Sequence, residues 1–176
     1  MIVLIPVSDK QIIDSRVLHG LQLQSVPCTQ LTCIAAGVEN SQGIQSPERI
    51  AGEIRSRNFQ VQQAINCTDD FVLSLDRDIV LTDPNAIHEM IDCLWQNREL
   101  GAVAMWFGKG RKTTVWLPHV HLKCVLFRRE VLSKIDFDKT DVRGCTCNAV
   151  KCQIEAMGFK IRYLDFVNRG KEISYT

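Results

Sequence analysis

Phe71-Val72-Leu73-Ser74-Leu75-Asp76-Arg77-Asp78-Ile79-Val80-Leu81 is the stretch around which the chain is organised. A mostly apolar, strand-forming run leads into two aspartates one residue apart, and a second apolar run follows. A continuous apolar run of this length, preceded by Asp69-Asp70, reads as a strand buried on both faces. Two carboxylates cannot sit unpaired in such an interior, because desolvating each ion costs several kcal/mol. They belong at the end of the strand, where a sheet opens into a cleft. Side chains alternate along a strand, which sends Asp76 and Asp78 to one side and Arg77 to the other. Two convergent oxygen donors suit a hard divalent cation, Mg²⁺ or Mn²⁺, which in turn can hold a diphosphate. The competing reading is a strand end with a helix cap and a local Asp–Arg ion pair.

The flanking sequence supplies the layers. Residues 2–7 read as a first strand. Asp9 is placed to cap a helix carrying Ile13, Val17 and Leu21 at helical spacing. Gln30 to Ala36 reads as a second strand, with a polar loop from Gly37 to Gly43. Ser46-Pro47-Glu48 is a helix start: a capping hydroxyl, a proline at the first helical position and an acid in the first turn. That helix carries Ile50, Ile54, Val61 and Ile65 on one stripe. Asp83-Pro84 opens another, with Ile87, Ile91 and Leu94 inward. Gly101 to Phe107 and His119 to Phe127 read as strands, Arg129 to Lys134 as a short helix and 148–157 as a helix. Gly158 is the left-handed stop, Lys160 to Val167 a last strand, and the end of the chain a polar tail. Strands alternating with amphipathic helices predict an α/β layered fold with a mostly parallel sheet.

Composition agrees with a single globular domain. The chain has 176 residues, 45% hydrophobic and 23% charged, with net charge +1, which gives no general attraction to nucleic acid or an anionic membrane. No run reaches the ~18 apolar residues of a membrane span, and the first residues lack the basic region of a signal peptide. The eight cysteines, several inside apolar patterns, are expected as reduced thiols in a cytoplasm.

The order strand, helix, strand, capped helix with Arg57-Asn58, then Asp69-Asp70-Phe71-Val72-Leu73-Ser74-Leu75-Asp76-Arg77-Asp78 resembles the GT-A nucleotide-sugar glycosyltransferases, most closely the family-2 type. Ile5-Pro6-Val7 resembles the opening of that fold. Phe127-Arg128-Arg129-Glu130-Val131-Leu132 resembles its short helix after the acceptor-side strand, and Ala156-Met157-Gly158-Phe159-Lys160-Ile161-Arg162-Tyr163 its closing helix-glycine-strand. The resemblance covers about residues 1–166. It implies a single GT-A (Rossmann-like) domain: a nucleotide-binding half over 1–82, an acceptor-side half over 83–170 and a polar tail over 171–176. It further implies transfer of a sugar from a nucleotide-diphosphate donor, a UDP-sugar first among them, to the hydroxyl of a glycan, lipid or small molecule.

In that scheme Asp76 and Asp78 hold Mn²⁺ or Mg²⁺, and a later histidine, His121, is a candidate further ligand. Pro6, Val7, Ser8 and Glu39 would hold the base and ribose, with Arg57, Asp76 and Arg77 close to the nucleotide. His119-Val120-His121 has an alternative reading as a structural pair. Arg49 reads as a nucleotide contact or as a solvated helix residue. Lys109-Gly110-Arg111-Lys112 is either a basic loop closing over diphosphate or a solvated loop; it lacks the leading glycine of a P-loop. Where the family usually carries an acidic pair before the last helix, this chain has Cys145-Thr146-Cys147-Asn148, leaving Asp141 as the nearest candidate base. Three other readings stand beside this one: a non-catalytic nucleotide-sugar-binding relative, a sugar-phosphate nucleotidyltransferase, for which Pro6-Val7-Ser8-Asp9-Lys10 lacks the glycine-rich loop, and a zinc module built on Cys145, Cys147 and Cys152, with Cys124 as a candidate fourth ligand.

Overall fold

A computed structural model describes residues 1–8, 13–35, 47–77, 79–105, 122–139, 146–164 and 173–175, with backbone alone at 8, 30–35, 47–50, 53 and 173–175. In chain order the elements are β1 (Ile2–Ser8), α1 (Ser15–Gln22), β2 (Thr29–Ala35), α2 (Pro47–Asn66), β3 (Phe71–Leu75), β4 (Ile79–Leu81) and α3 (Ala86–Gln96). They continue as β5 (Leu100–Met105), β6 (Cys124–Arg128), α4 (Arg129–Leu132), α5 (Thr146–Ala156), β7 (Lys160–Leu164) and β8 (Ile173–Tyr175).

The main sheet has the order β2-β1-β3-β6-β5-β7. Strands β2, β1 and β3 are mutually parallel and β5 is parallel to β7, while β6 runs against both β3 and β5. The sheet is therefore mostly parallel with one reversed strand, as the alternating pattern predicts. Every residue of β3 is buried, in keeping with a strand covered on both faces. The alternation of side chains divides the core in two. Val3, Ile5, Leu73, Leu75, Val103 and Leu126 face α1 and α3, whose Val17, Leu21, Ile87, Met90 and Leu94 complete that layer. Leu4, Val72, Ala102, Ala104, Val125 and Phe127 face the other way, against Val61 and Ala64 of α2, Val131 of α4 and Ile154 of α5. The product is a three-layer sandwich with α1 and α3 on one face and α2, α4 and α5 on the other.

Local chemistry explains the boundaries and three departures from expectation. Helix α1 is capped by Asp14, whose Oδ1 accepts from the Arg16 backbone N–H at 2.8 Å, and not by Asp9, which lies outside the described residues. Capping wins at Asp14 because it directly precedes the first helical residue and its carboxylate also takes the Arg16 guanidinium, which pulls the Asp14 pKa down. On α2, Ile65 is 48% exposed, so the apolar stripe slides off the core in the last turn. The segment read as a polar tail contains β8, which pairs antiparallel with β4 from Ile79↔Tyr175 to Leu81↔Ile173. A three-residue strand has too short a pattern to stand out from the sequence around it. Gly158 has φ +84°, the left-handed stop expected after α5.

The small sheet is anchored tightly to α1. Gln24, buried, donates from Nε2 to the Gly20 and Asp83 carbonyls at 3.0 and 2.9 Å and accepts from the Ile87 N–H at 3.2 Å. At Gly20 the helix comes so close to β4 that an added Cβ would stand 2.7 Å from the Leu81 carbonyl oxygen. Alanine ordinarily favours a helix interior by ~1 kcal/mol over glycine; here the forced backbone shift, of the order of 1–3 kcal/mol, opposes it. Gly20→Ala is expected to lower the urea midpoint with an unchanged slope; a raised midpoint would contradict this packing.

Candidate functional site

The C-terminal ends of β1 and β3 lie side by side. Their parallel register runs Ile2↔Val72 to Leu4↔Ser74, so continuing it by two residues sets Pro6 next to Asp76. The strand order β2-β1-β3 also makes this the point where successive connections depart to opposite sides of β1. In open α/β sheets the crevice beyond the strand ends at such a switch point is the usual ligand site.

Asp76 is fixed there from three directions. Its backbone N–H donates to the Lys123 carbonyl at 2.7 Å, and its own carbonyl accepts from Ile79 N–H at 3.2 Å. Its Oδ1 accepts from Arg57 Nη2 at 2.6 Å. Arg57 projects from α2 beneath the strand end, with its side chain 3% exposed against 25% for Asp76. The guanidinium also donates from Nη1 to Ser74 Oγ at 2.6 Å and to Gln60 Oε1 at 3.4 Å. Ser74 Oγ donates to Gln60 Oε1 at 3.1 Å, and Gln60 Nε2 donates to the Leu4 carbonyl at 3.1 Å. A connected polar network thus crosses the core from β1 to the tip of β3, and each member supports the next. The pair leaves Asp76 Oδ2 without a hydrogen-bond partner among the described residues. One oxygen is structural and the other is available to a ligand.

Strand β3 ends at Leu75, one residue before Asp76, and Asp78 lies outside the described residues. The bond from Ile79 to Asp76 closes a tight turn, so strict strand geometry ends at Leu75. The turn lets the chain leave the main sheet and enter the small one at β4. Arg77 lies in this turn, partly buried.

The remaining candidates divide plainly. Val7 is 5% exposed and packs in the core facing α1 and α3, so its side chain does not reach a ligand and only its backbone can contribute. Pro6 is partly exposed, and Ser8 ends β1 opposite Ala35 of β2. Glu39, Asp78, His121 and Asp141 lie outside the described residues, as do His119, Cys145 and the basic loop. Arg49 lies within α2, its side chain also outside them. Among the described residues no group of three or more His, Cys, Asp or Glu could hold a metal ion; Cys147 is partly buried, and Cys152 is an exposed free thiol.

Sequence reasoning named Arg57 and Asn58 but missed the roles of Gln60 and Ser74. The signal was present: Ser74 is the one polar residue in an otherwise apolar strand, and Gln60 stands three residues after Arg57, on the same helix face. Asn58 Oδ1 accepts from the Phe137 N–H at 3.3 Å, tying α2 to the segment after α4. Next to Asp76, burial pushes the Cys124 thiol pKa well above its ordinary value, and the Asp76 charge adds to the effect.

With this geometry in view, comparison with solved structures gives the fold its name. The mannosyltransferase PcManGT from Pyrobaculum calidifontis, solved with GDP-Man and Mn²⁺, aligns with a TM-score of 0.66 at 16% identity, covering 94% of this chain and 55% of that one. Glucosyl-3-phosphoglycerate synthase from Mycobacterium tuberculosis, solved with Mn²⁺ and UDP-glucose, aligns at 0.62 and 12% identity over 99% of this chain and 70% of that one. A197 from STIV aligns at 0.54 and 12% identity, over 94% of this chain and 82% of that one. The chain has the GT-A fold, and it spans just over half the length of the mannosyltransferase. No family model and no curated protein matches its sequence.

Two expectations follow. Removing one partner of a buried ion pair costs about 3–5 kcal/mol. Arg57→Ala should fall at the low end, because Asp76 keeps some solvent contact, whereas Arg57→Lys should recover only part of the loss, since one ammonium cannot span Asp76 and Ser74 together. Equal stability of Arg57→Ala and the parent in urea would contradict the pair. Since the thiolate is the reactive form, iodoacetamide at pH 8 should alkylate Cys152 in minutes and leave Cys124 unmodified until the protein is denatured. Comparable labelling of both cysteines in the folded protein would contradict the burial.

Proposed function

We propose that the chain is a metal-dependent glycosyltransferase that moves a sugar from a nucleotide-diphosphate donor, a UDP-sugar first among the candidates, to the hydroxyl of a glycan, lipid or small-molecule acceptor. The observation that carries this reading is Asp76, held by Arg57 through Oδ1 at the switch point of a GT-A fold, with Oδ2 left without a hydrogen-bond partner among the described residues. A carboxylate oxygen suits Mn²⁺ or Mg²⁺, which keep several waters and take part of their shell from phosphates. The GT-A neighbours solved with Mn²⁺ and nucleotide sugars support the same choice.

In this proposal Asp76 and Asp78 hold the cation and His121 is a further ligand. The metal, when bound, offsets charge developing on the leaving diphosphate. Arg57 holds the Asp76 carboxylate in place through its Oδ1. Pro6, Val7 (through its backbone), Ser8 and Glu39 line the base and ribose, and Arg77 stands close to the nucleotide. Asp141 takes the proton of the acceptor hydroxyl as general base if the reaction inverts. The half-domain division, 1–82 for the nucleotide and 83–170 for the acceptor, is part of the same reading. So is a cytoplasmic location, which the free thiols of Cys28, Cys67, Cys93, Cys124 and Cys152 support. No helix among the described residues is long and apolar enough to cross a membrane.

One observation favours a second reading, a nucleotide-sugar-binding relative without transfer. The place of the usual acidic pair is taken by Cys145-Thr146-Cys147-Asn148, and the last three of these residues open α5.

Calorimetric titration with UDP and with GDP, each with and without Mn²⁺, tests the proposal. Nucleotide binding should require Mn²⁺ and weaken at least about tenfold in Asp76→Asn and Asp78→Asn; asparagine keeps an acceptor for Arg57, so the variants should remain folded. Asp141→Asn should leave that binding intact and slow donor turnover about 10²–10⁴-fold. Metal-dependent binding with neither transfer nor donor hydrolysis selects the second reading. Absence of binding to either nucleotide, with or without metal, removes both.

A further inference from the structure

A second feature lies at the opposite end of β3. Phe71 begins that strand and faces Arg128 at the end of β6, roughly 17 Å along the strand from Asp76 at about 3.3 Å per residue. Here a cavity of about 480 Å³ opens between α3, the end of β6 and α4.

Its wall is rigid. Arg128 donates from Nε to the Leu100 carbonyl at 2.7 Å and from Nη2 to the carbonyls of Leu94 and Asn97, joining the end of α3 to the start of β5. The same guanidinium lies 5.7 Å from the centre of the Phe71 ring, and that ring meets Trp95 edge-on at 5.5 Å and 87°. Trp95 is held on this side, yet it remains 62% exposed. A large aromatic fixed by its neighbours but open to solvent is a ready stacking surface.

The charges are unspent. Arg98, Arg128 and Arg129 all line the cavity, and among the described residues none of them forms an ion pair. The three carbonyls engage Nε and Nη2 of Arg128 without neutralising its charge. Arg129 Nε is buried and has no hydrogen-bond acceptor among the described residues, while the Arg129 backbone N–H donates to the Asp70 carbonyl at 2.9 Å. The two acids on the lining, Asp70 and Glu130, are exposed, where water screens them.

We propose that this cavity is a ligand site, separate from the Asp76 end of the sheet, for a small aromatic anion: a flat ring laid on Trp95 and a phosphate or carboxylate held by Arg98 and Arg129. Guanidinium groups bind either anion through paired N–H donors, and the exposed indole supplies the ring contact that a bare inorganic ion cannot use. The site owes nothing to metal or nucleotide binding at Asp76, so it stands or falls independently of the proposed activity.

The test is a titration followed on the Trp95 indole N–H resonance, assigned by its disappearance in Trp95→Phe. Phenyl phosphate, benzoate and inorganic phosphate are added separately to the full chain in the presence of EDTA. A saturable shift is expected with one or both aromatic anions, and at least about tenfold weaker binding of inorganic phosphate. The preferred aromatic anion identifies the head group. Arg98→Gln, on an exposed side chain, and Arg129→Gln should each weaken binding severalfold with unchanged spectra elsewhere, whereas Asp76→Asn should have no effect. No saturable shift with either aromatic anion, equal affinity for inorganic phosphate, or unaltered affinity in both arginine variants would overturn the proposal.

Discussion

The ion pair between Arg57 and Asp76 is the constraint on which the organisation of this protein turns. A guanidinium almost fully withdrawn from water needs partners for its charge and its donors, and here Asp76, Ser74 and Gln60 engage its two terminal nitrogens. The arrangement fixes where α2 crosses the sheet, because Gln60 must also reach the Leu4 carbonyl on β1. It fixes the tip of β3 as well, since Asp76 is bound through backbone and side chain together. A carboxylate prepared in this way is oriented before any ligand arrives, which is the condition for selective binding of a hard cation or a ribose hydroxyl.

The stretch beyond Asp76 is held by a different device. Strand β4 leaves the main sheet, pairs with β8 near the end of the chain and packs against α1 at Gly20. The acidic loop therefore runs between two anchors: a polar network under its first residue and a closely packed small sheet after its last. Both anchors belong to the scaffold, so the position of the loop is set by the hydrogen bonding and packing of the fold.

Much of this was legible from residue pattern. The apolar run of β3 could only be a doubly covered strand, and carboxylates at its end could only mark its exit from the core. The helix starts at Pro47 and near Asp83, and the stop at Gly158, carry their own chemistry. What the pattern could not give was pairing. Nothing local announces that Ile173–Tyr175 lies beside β4, because a three-residue strand has no periodicity to read. Asp9 and Asp14 are equivalent caps until the helix start is known. Ser74 and Gln60 were visible as polar residues at apolar places, yet their role depends on Arg57 reaching across from another element, and long-range polar networks leave no periodic trace. The aromatic wall of Phe71, Trp95 and Arg128 was hidden for the same reason, its members being scattered over three elements.

The most direct test of the central claim is paramagnetic broadening of backbone amide signals by Mn²⁺ in the presence of UDP. If the Asp76 end of the sheet is the metal–nucleotide site, the signals of Leu75, Arg77, Ile79 and Cys124 should broaden first, while those of Phe71 and Arg128 at the other end should persist. The broadening should disappear with excess Mg²⁺ and be lost in Asp76→Asn. Broadening centred elsewhere, or none at these residues, would contradict the claim and leave the buried pair as an element of the fold alone.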